Sequence, residues 1–210
     1  MEARPSLARR LVALDIGTGS GAIALSLLKE GPFERVVATD LSQGALEVAQ
    51  GNAARLGLAD RLELRAGGLW QALPADATFD VVASNPPYVA ESERSQLAPE
   101  VREWEPAGAL FAGAAGFDVL GPLIAGAAPH LRPGGLLALE IGASQAERTL
   151  ALLDATGAYQ ACRVARDLAG RQRVVLATRR GVQGEAGAGE EEGERVGESL
   201  AQEAERREHA

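Results

Sequence analysis

Ser84-Asn85-Pro86-Pro87-Tyr88 follows directly on the apolar run Phe79-Asp80-Val81-Val82-Ala83. Proline has a fixed φ and no backbone N–H, so two in succession end a strand and leave nearby carbonyls without a local donor. Such carbonyls are acceptors for something outside the chain's own hydrogen-bond ladder.

A second motif lies upstream. Asp15-Ile16-Gly17-Thr18-Gly19-Ser20-Gly21 joins an apolar run to a helical pattern. Glycines there permit a sharp turn and close approach of a ligand to the main chain, and the helix N-terminus behind them attracts a carboxylate or phosphate. With Ala22 the loop also satisfies Gly-x-Gly-x-x-Ala, the dinucleotide fingerprint. Asp40, nineteen residues beyond Gly21, closes the next apolar run, where a carboxylate can accept hydrogen bonds from both hydroxyls of a ribose. NAD and S-adenosylmethionine both carry that ribose, so these motifs leave the cofactor open. The histidines weigh against hydride transfer: His130 precedes Leu-Arg-Pro-Gly-Gly at a helix end and His209 is near the C-terminus, and both read as solvated.

The elements that position these residues follow from hydrophobic period. LVALDIG, RVVATD, RLELRA, FDVVASN and LLALEIG read as short buried strands. SGAIALSLLKE, SQGALEVAQGNAARLG capped by Ser42, and residues Asp118 to His130 read as helices between them. AERTLALLDATG adds a helix, and YQACRVARD and RQRVVLATR add two strands joined by too few residues for a parallel crossover. The prediction is an α/β chain with a mostly parallel, doubly wound sheet and an antiparallel last strand. Asn85 to Tyr88 then sit at the C-terminal end of the fourth strand, beside the switch point where such sheets bind ligands.

Charge separates a body from a tail. The formal charge is -8, and Val182 to Ala210 hold nine Glu against three Arg, so the tail carries most of it. The nearly neutral body gives no basic signature for nucleic acid. Residues 1–180 are expected to form one domain, with 181–210 a Gly/Glu-rich, disordered tail; a short helix from Ser199 to His209 is the alternative there. Cys162 is the single cysteine, which excludes a disulfide framework or thiolate zinc cluster, and it reads as a small buried apolar residue. Asp15 interrupts the first apolar run too early for a signal peptide or spanning helix, so a cytoplasmic protein without membrane attachment is expected.

The glycine loop, Asp40, SNPPYV, VREWEPAGALFAG and DLAGRQRVVL together resemble the catalytic domain of the HemK-like protein-(glutamine-N5) methyltransferases of peptide chain release factors, from about Leu11 to Arg179. The resemblance implies a Rossmann-like methyltransferase fold, S-adenosylmethionine as cofactor, and a release factor as protein substrate, methylated on the glutamine of a Gly-Gly-Gln motif. Asn-Pro-Pro-Tyr is shared with methyltransferases of exocyclic adenine amines, so an RNA or DNA acceptor stays an alternative, as does a catalytically weak cofactor-binding scaffold. The chemistry suits the residue types. An amide nitrogen has a delocalised lone pair, and holding its NH₂ by two acceptors orients it and raises its electron density as the new bond forms.

By this resemblance the Asn85 side-chain carbonyl and the Pro86 backbone carbonyl are those acceptors, Pro87 stiffens the turn, and Tyr88 packs on the acceptor amide. Gly17, Thr18, Gly19, Ser20 and Gly21 would line the methionine part of the cofactor, with Asp15 reaching its amino group. Asp40 would meet the ribose and Gly68 and Leu69 the adenine, with Leu41 also counted among the cofactor-binding residues, and Asn85 borders the same space. An activated sulfonium needs no metal. The family commonly has Asp where this sequence has Gly68 and an aromatic where it has Leu69, with Trp70 next in line to swing in. The family's helical N-terminal domain is not matched, so the expectation is weak activity or a partner supplying that recognition surface, with a gene product truncated at its N-terminus as the alternative.

Overall fold

The computed structural model describes residues 9–89, 113 and 116–181. Within them one sheet is built from β1 (Leu11–Ile16), β2 (Phe33–Asp40), β3 (Leu62–Ala66), β4 (Phe79–Ser84), β5 (Leu131–Glu140), β6 (Tyr159–Arg166) and β7 (Gln172–Arg179). Helices α1 (Ala22–Glu30) and α2 (Gln43–Leu56) link the first three strands, α3 (Leu120–His130) precedes β5, and α4 (Ala146–Thr156) joins β5 to β6. The order across the sheet is β3-β2-β1-β4-β5-β7-β6. Neighbours from β3 to β5 are parallel, and β7 runs antiparallel to both β5 and β6. The short link after β6 forces that reversal, and β7 slides between β5 and β6. Chain order reverses between β1 and β4, which makes their C-terminal ends the switch point.

The central strands β1, β4 and β5 are apolar because both faces of the sheet are covered there. β4 is the extreme case, with all six residues buried. Leu25, Leu27 and Leu28 of α1 pack with Val36, Val81 and Leu136 on one face. Leu120, Leu123 and Ile124 of α3 pack with Leu14, Val82 and Leu139 on the other. Local chemistry sets the ends of α2: Ser42 Oγ accepts from the Ala45 N–H at 3.2 Å, and Gly57 closes the helix at φ 69°.

At the N-terminal end of β4, Asp80 is only 7% exposed. It accepts from the Val12 N–H at 2.8 Å and from Arg132 Nη1 at 2.6 Å, and it also pairs with Arg9. This carboxylate ties the entry to β1 and the start of β5 to the central strand, far from the Asn85 end.

Three expectations change. The fifth strand starts at Leu131, five residues before the LLALEIG pattern, because Leu131 already pairs with Phe79 ahead of a bulge. His130 is buried: its Nδ1 is 2.9 Å from the Ala77 carbonyl and its ring stacks on Trp70 at 5.0 Å. Cys162 is exposed, because it lies in the exposed Ala161 to Arg163 stretch of β6, the edge strand of the sheet, beside a register shift between Gln160 and Arg163. The 182–210 tail, residues 101–112 of VREWEPAGALFAG and the N-terminal residues 1–8 lie outside the described residues. No helix among the described residues is long and apolar enough to cross a membrane.

Candidate active site

The strand ends finish level. Ile16 pairs with Thr39 and with Ser84, Asp40 with Ala66, and Ser84 with Leu139. The glycine loop, Asp40–Leu41, Gly68–Leu69 and Asn85–Tyr88 therefore all leave the sheet from one edge.

Gly17, Gly19 and Gly21 have φ of 71°, 55° and 84°, the left-handed region that favours glycine. A Cβ on Gly17 or Gly19 would meet nothing within 4 Å, so backbone angle selects glycine there and the space before the loop is open. At Gly21 a Cβ would lie 3.1 Å from the Ala49 Cβ, so close packing of α2 adds a second reason. The N–H groups of Gly17 and Thr18 donate to the Thr39 carbonyl at 2.8 and 2.9 Å. Asp15 is buried beneath the loop, where its Oδ2 accepts from Thr18 Oγ1 at 2.6 Å and the Ala24 N–H at 3.1 Å. It caps the first turn of α1 and holds the loop from below. Ser20 is exposed, and its carbonyl accepts from Asn52 Nδ2 at 2.8 Å.

Asp40 does local work as well. Its Oδ2 accepts from the Gly19 N–H at 2.9 Å and its Oδ1 from the Ser42 N–H at 2.8 Å, so one carboxylate links the glycine loop to the start of α2. Leu41 beside it is 82% exposed. A Cβ on Gly68 would lie 3.1 Å from Leu41 Cδ2, so this glycine leaves Leu41 its place. Leu69 holds φ 46°, a strained angle for a branched side chain, in the short turn that follows β3. Trp70 is turned away from this edge: it stacks on His130 and its Nε1 donates to the Pro122 carbonyl at 3.2 Å. It packs under α3 and does not replace the missing aromatic at Leu69.

At the end of β4, Ser84 is buried and its Oγ donates to the Ile16 carbonyl at 2.7 Å, which locks β4 to β1 immediately before the turn. Asn85 is exposed, Pro86 buried, and Pro87 and Tyr88 half-buried. Two residues that sequence reasoning missed grip this turn. Gln145 Nε2 donates to the Tyr88 carbonyl at 3.0 Å, and Arg173 Nη1 lies 3.4 Å from the Tyr88 hydroxyl. Arg173 is held in turn by buried Asp167, at 3.5 Å. The segment DLAGRQRVVL contained both Asp167 and Arg173, but nothing in its pattern aimed them at Tyr88.

Burial pushes the Asp167 carboxyl up, but the Arg171 backbone N–H, the Arg171 side chain and the Arg173 charge more than offset it and hold the group below the usual carboxylate range. A carboxyl with a depressed folded pKa stabilises the fold above its unfolded pKa of about 3.9 and loses that contribution as pH falls through the folded value. Melting temperatures of the parent chain and of Asp167→Asn should therefore differ at neutral pH and converge below about pH 4. A gap that stayed constant down to about pH 2.5 would contradict this. Among the described residues, no group of three or more His, Cys, Asp or Glu is placed to hold a metal ion.

Comparison with known proteins agrees with this fold. Residues 13–105 match the family model described as a methyltransferase domain. The release factor glutamine methyltransferase of Cereibacter sphaeroides is 50% identical over 164 residues, 78% of this chain. Over those residues the chain is similar to a release factor glutamine methyltransferase. That of Gloeobacter violaceus is 45% identical over 163 residues, again 78% of this chain. The chain spans 58% and 57% of the lengths of these two methyltransferases. Solved structures agree on the methyltransferase fold. A methyltransferase from Pyrococcus furiosus superposes with a TM-score of 0.59 at 24% identity, over 87% of this chain and 89% of its own. The Thermus thermophilus 16S rRNA N2 G1207 methyltransferase, solved with AdoMet and guanosine, has a TM-score of 0.56 at 24% identity, over 82% of this chain and 38% of its own.

Proposed function

We propose that this chain is the catalytic part of an S-adenosylmethionine-dependent N-methyltransferase acting on the side-chain amide of the Gly-Gly-Gln glutamine of a peptide chain release factor, in the cytoplasm. The carrying observation is Asn85, exposed at the C-terminal end of β4 and one strand away from the glycine loop after β1. The names of the two relatives compared above supply the acceptor.

The residues present fit the cofactor. Open space faces the main chain of Gly17 and Gly19, Asp40 stands at the rim of that loop, and exposed Leu41 offers an apolar face for an adenine. S-adenosylmethionine supplies, when bound, a methyl group already activated on a sulfonium. The protein's part is orientation and electrostatics: the Asn85 side-chain carbonyl and the Pro86 carbonyl accept the two amide hydrogens of the glutamine, and the Tyr88 ring supports the amide plane. The nearly neutral body favours a protein acceptor over RNA.

Calorimetric titration of S-adenosylmethionine, with NAD as control, tests the cofactor. Asp40→Ala should weaken binding about 30-fold or more, since it removes the ribose acceptor together with the charged partner of the Gly19 and Ser42 N–H groups. Labelled methyl groups should then enter a release factor and not a copy whose Gly-Gly-Gln glutamine is replaced. Label in RNA, or binding of NAD alone, would overturn this function.

A further inference from the structure

Gln145 sits just before α4, and its side-chain amide joins three segments that are remote in sequence. Nε2 has two hydrogens and both are used, one on the Tyr88 carbonyl at 3.0 Å and one on the Gly116 carbonyl at 3.1 Å. Oε1 accepts from the Gly142 N–H at 3.0 Å. The residue is 8% exposed, and its own carbonyl accepts from Thr149 Oγ1 at 2.8 Å, so its backbone is anchored as well. The fit around it is tight: a Cβ on Gly116 would fall 2.3 Å from the Tyr88 carbonyl oxygen.

We propose that Gln145 is the positioning residue of the Asn85–Tyr88 turn. It touches neither acceptor nor cofactor and acts through the Tyr88 carbonyl. With Ser84 locked to β1 at one end and Tyr88 held by Gln145 at the other, the stiff Pro86-Pro87 pair between them leaves Asn85 a single presentation to the acceptor amide. The catalytic consequence rests on the methyl transfer proposed above.

Gln145→Glu keeps the shape and the acceptor oxygen but, when ionised, faces two carbonyl oxygens with no donor. We expect kcat to fall about 10²-fold with the KM for S-adenosylmethionine unchanged, because a small misplacement of reacting groups costs that much. Burial raises the new carboxyl's pKa, and its protonated form restores one donor, so the variant-to-parent ratio of kcat should climb as pH is lowered from about 8.5 to about 6. Simple loss of stability would not produce that slope. Gln145→Met, neutral and similar in length, should lose rate with no slope, and it serves if the Glu variant does not fold. Amide exchange across residues 84–89 should quicken at least about tenfold in either variant while the glycine loop is unaffected. Unchanged exchange there, or unchanged kcat in an active parent chain, overturns the proposal. A parent chain that methylates no acceptor defeats the proposed function instead, and exchange alone then decides whether Gln145 holds the turn.

Discussion

Asn85→Ala is expected to bind S-adenosylmethionine within about threefold of the parent chain while transferring methyl groups to a release factor about 10³-fold more slowly. The residue is exposed, so truncation leaves no buried cavity, and the Ser84 hydroxyl still fastens the end of β4 to the Ile16 carbonyl. Folding should thus be unchanged. What disappears is one of the two acceptors proposed to hold the glutamine NH₂. Loss of a single preorganised hydrogen-bonding group of this kind costs about 10²–10³ in kcat, and loss of orientation adds to it. Asn85→Asp keeps an acceptor oxygen and should lie between the two. Single-turnover transfer from labelled cofactor measures the chemical step, and calorimetry on the same preparations separates it from binding. Equal rates for parent and Ala variant would remove Asn85 from the chemistry, and a variant that no longer bound the cofactor would move it to the cofactor site.

Asp80→Ala should be the most destabilising charge removal among those described, by about 3 kcal/mol, lowering the melting temperature by about 6–12 °C in a chain of this size. The cost comes mainly from the Val12 N–H, which loses a charged acceptor in a half-buried position, and from Arg132, whose side chain is 29% exposed. Arg9 is 58% exposed and contributes little, because water already solvates it. Arg9→Ala should accordingly cost under about 1 kcal/mol. Thermal unfolding followed by circular dichroism compares the two. A shift below about 2 °C for Asp80→Ala would show that solvated arginines and rearranged backbone replace this carboxylate cheaply. The cofactor affinity of the folded variant should be unaffected, since Asp80 lies at the N-terminal end of β4 and the glycine loop at the other end of the sheet.

Features that depend on a residue's own neighbourhood are legible in the amino-acid sequence. Alternating apolar runs and helical patterns specify the parallel core. The short link after β6 implies an antiparallel strand, the glycine spacing marks a left-handed loop, and Ser42 marks a helix start. Pro86-Pro87 announces the end of β4 with equal clarity. Each of these is a property of backbone angles, hydrogen-bonding capacity or hydrophobic period within a few residues.

What only the tertiary structure decided lies in pairs far apart along the chain. Gln145 meets Tyr88 across 57 positions and Arg173 meets Tyr88 across 85. Neither Gln145 nor Arg173 is unusual in composition, and their partners are a main-chain carbonyl and a hydroxyl that almost any donor could satisfy. The same reason explains the histidine and the tryptophan. By sequence Trp70 is available to the cofactor edge and His130 is solvated, whereas the packing of α3 stacks one ring on the other. Asp15 and Asp40 are recognisable as acids at strand ends, but folding alone sets their division of labour, Asp15 holding the loop from beneath and Asp40 bracing it from the rim. Local sequence determines which groups can donate, accept or turn; which of them meet is a long-range packing outcome, because partner selection depends on the layering of the sheet and not on the chain nearby.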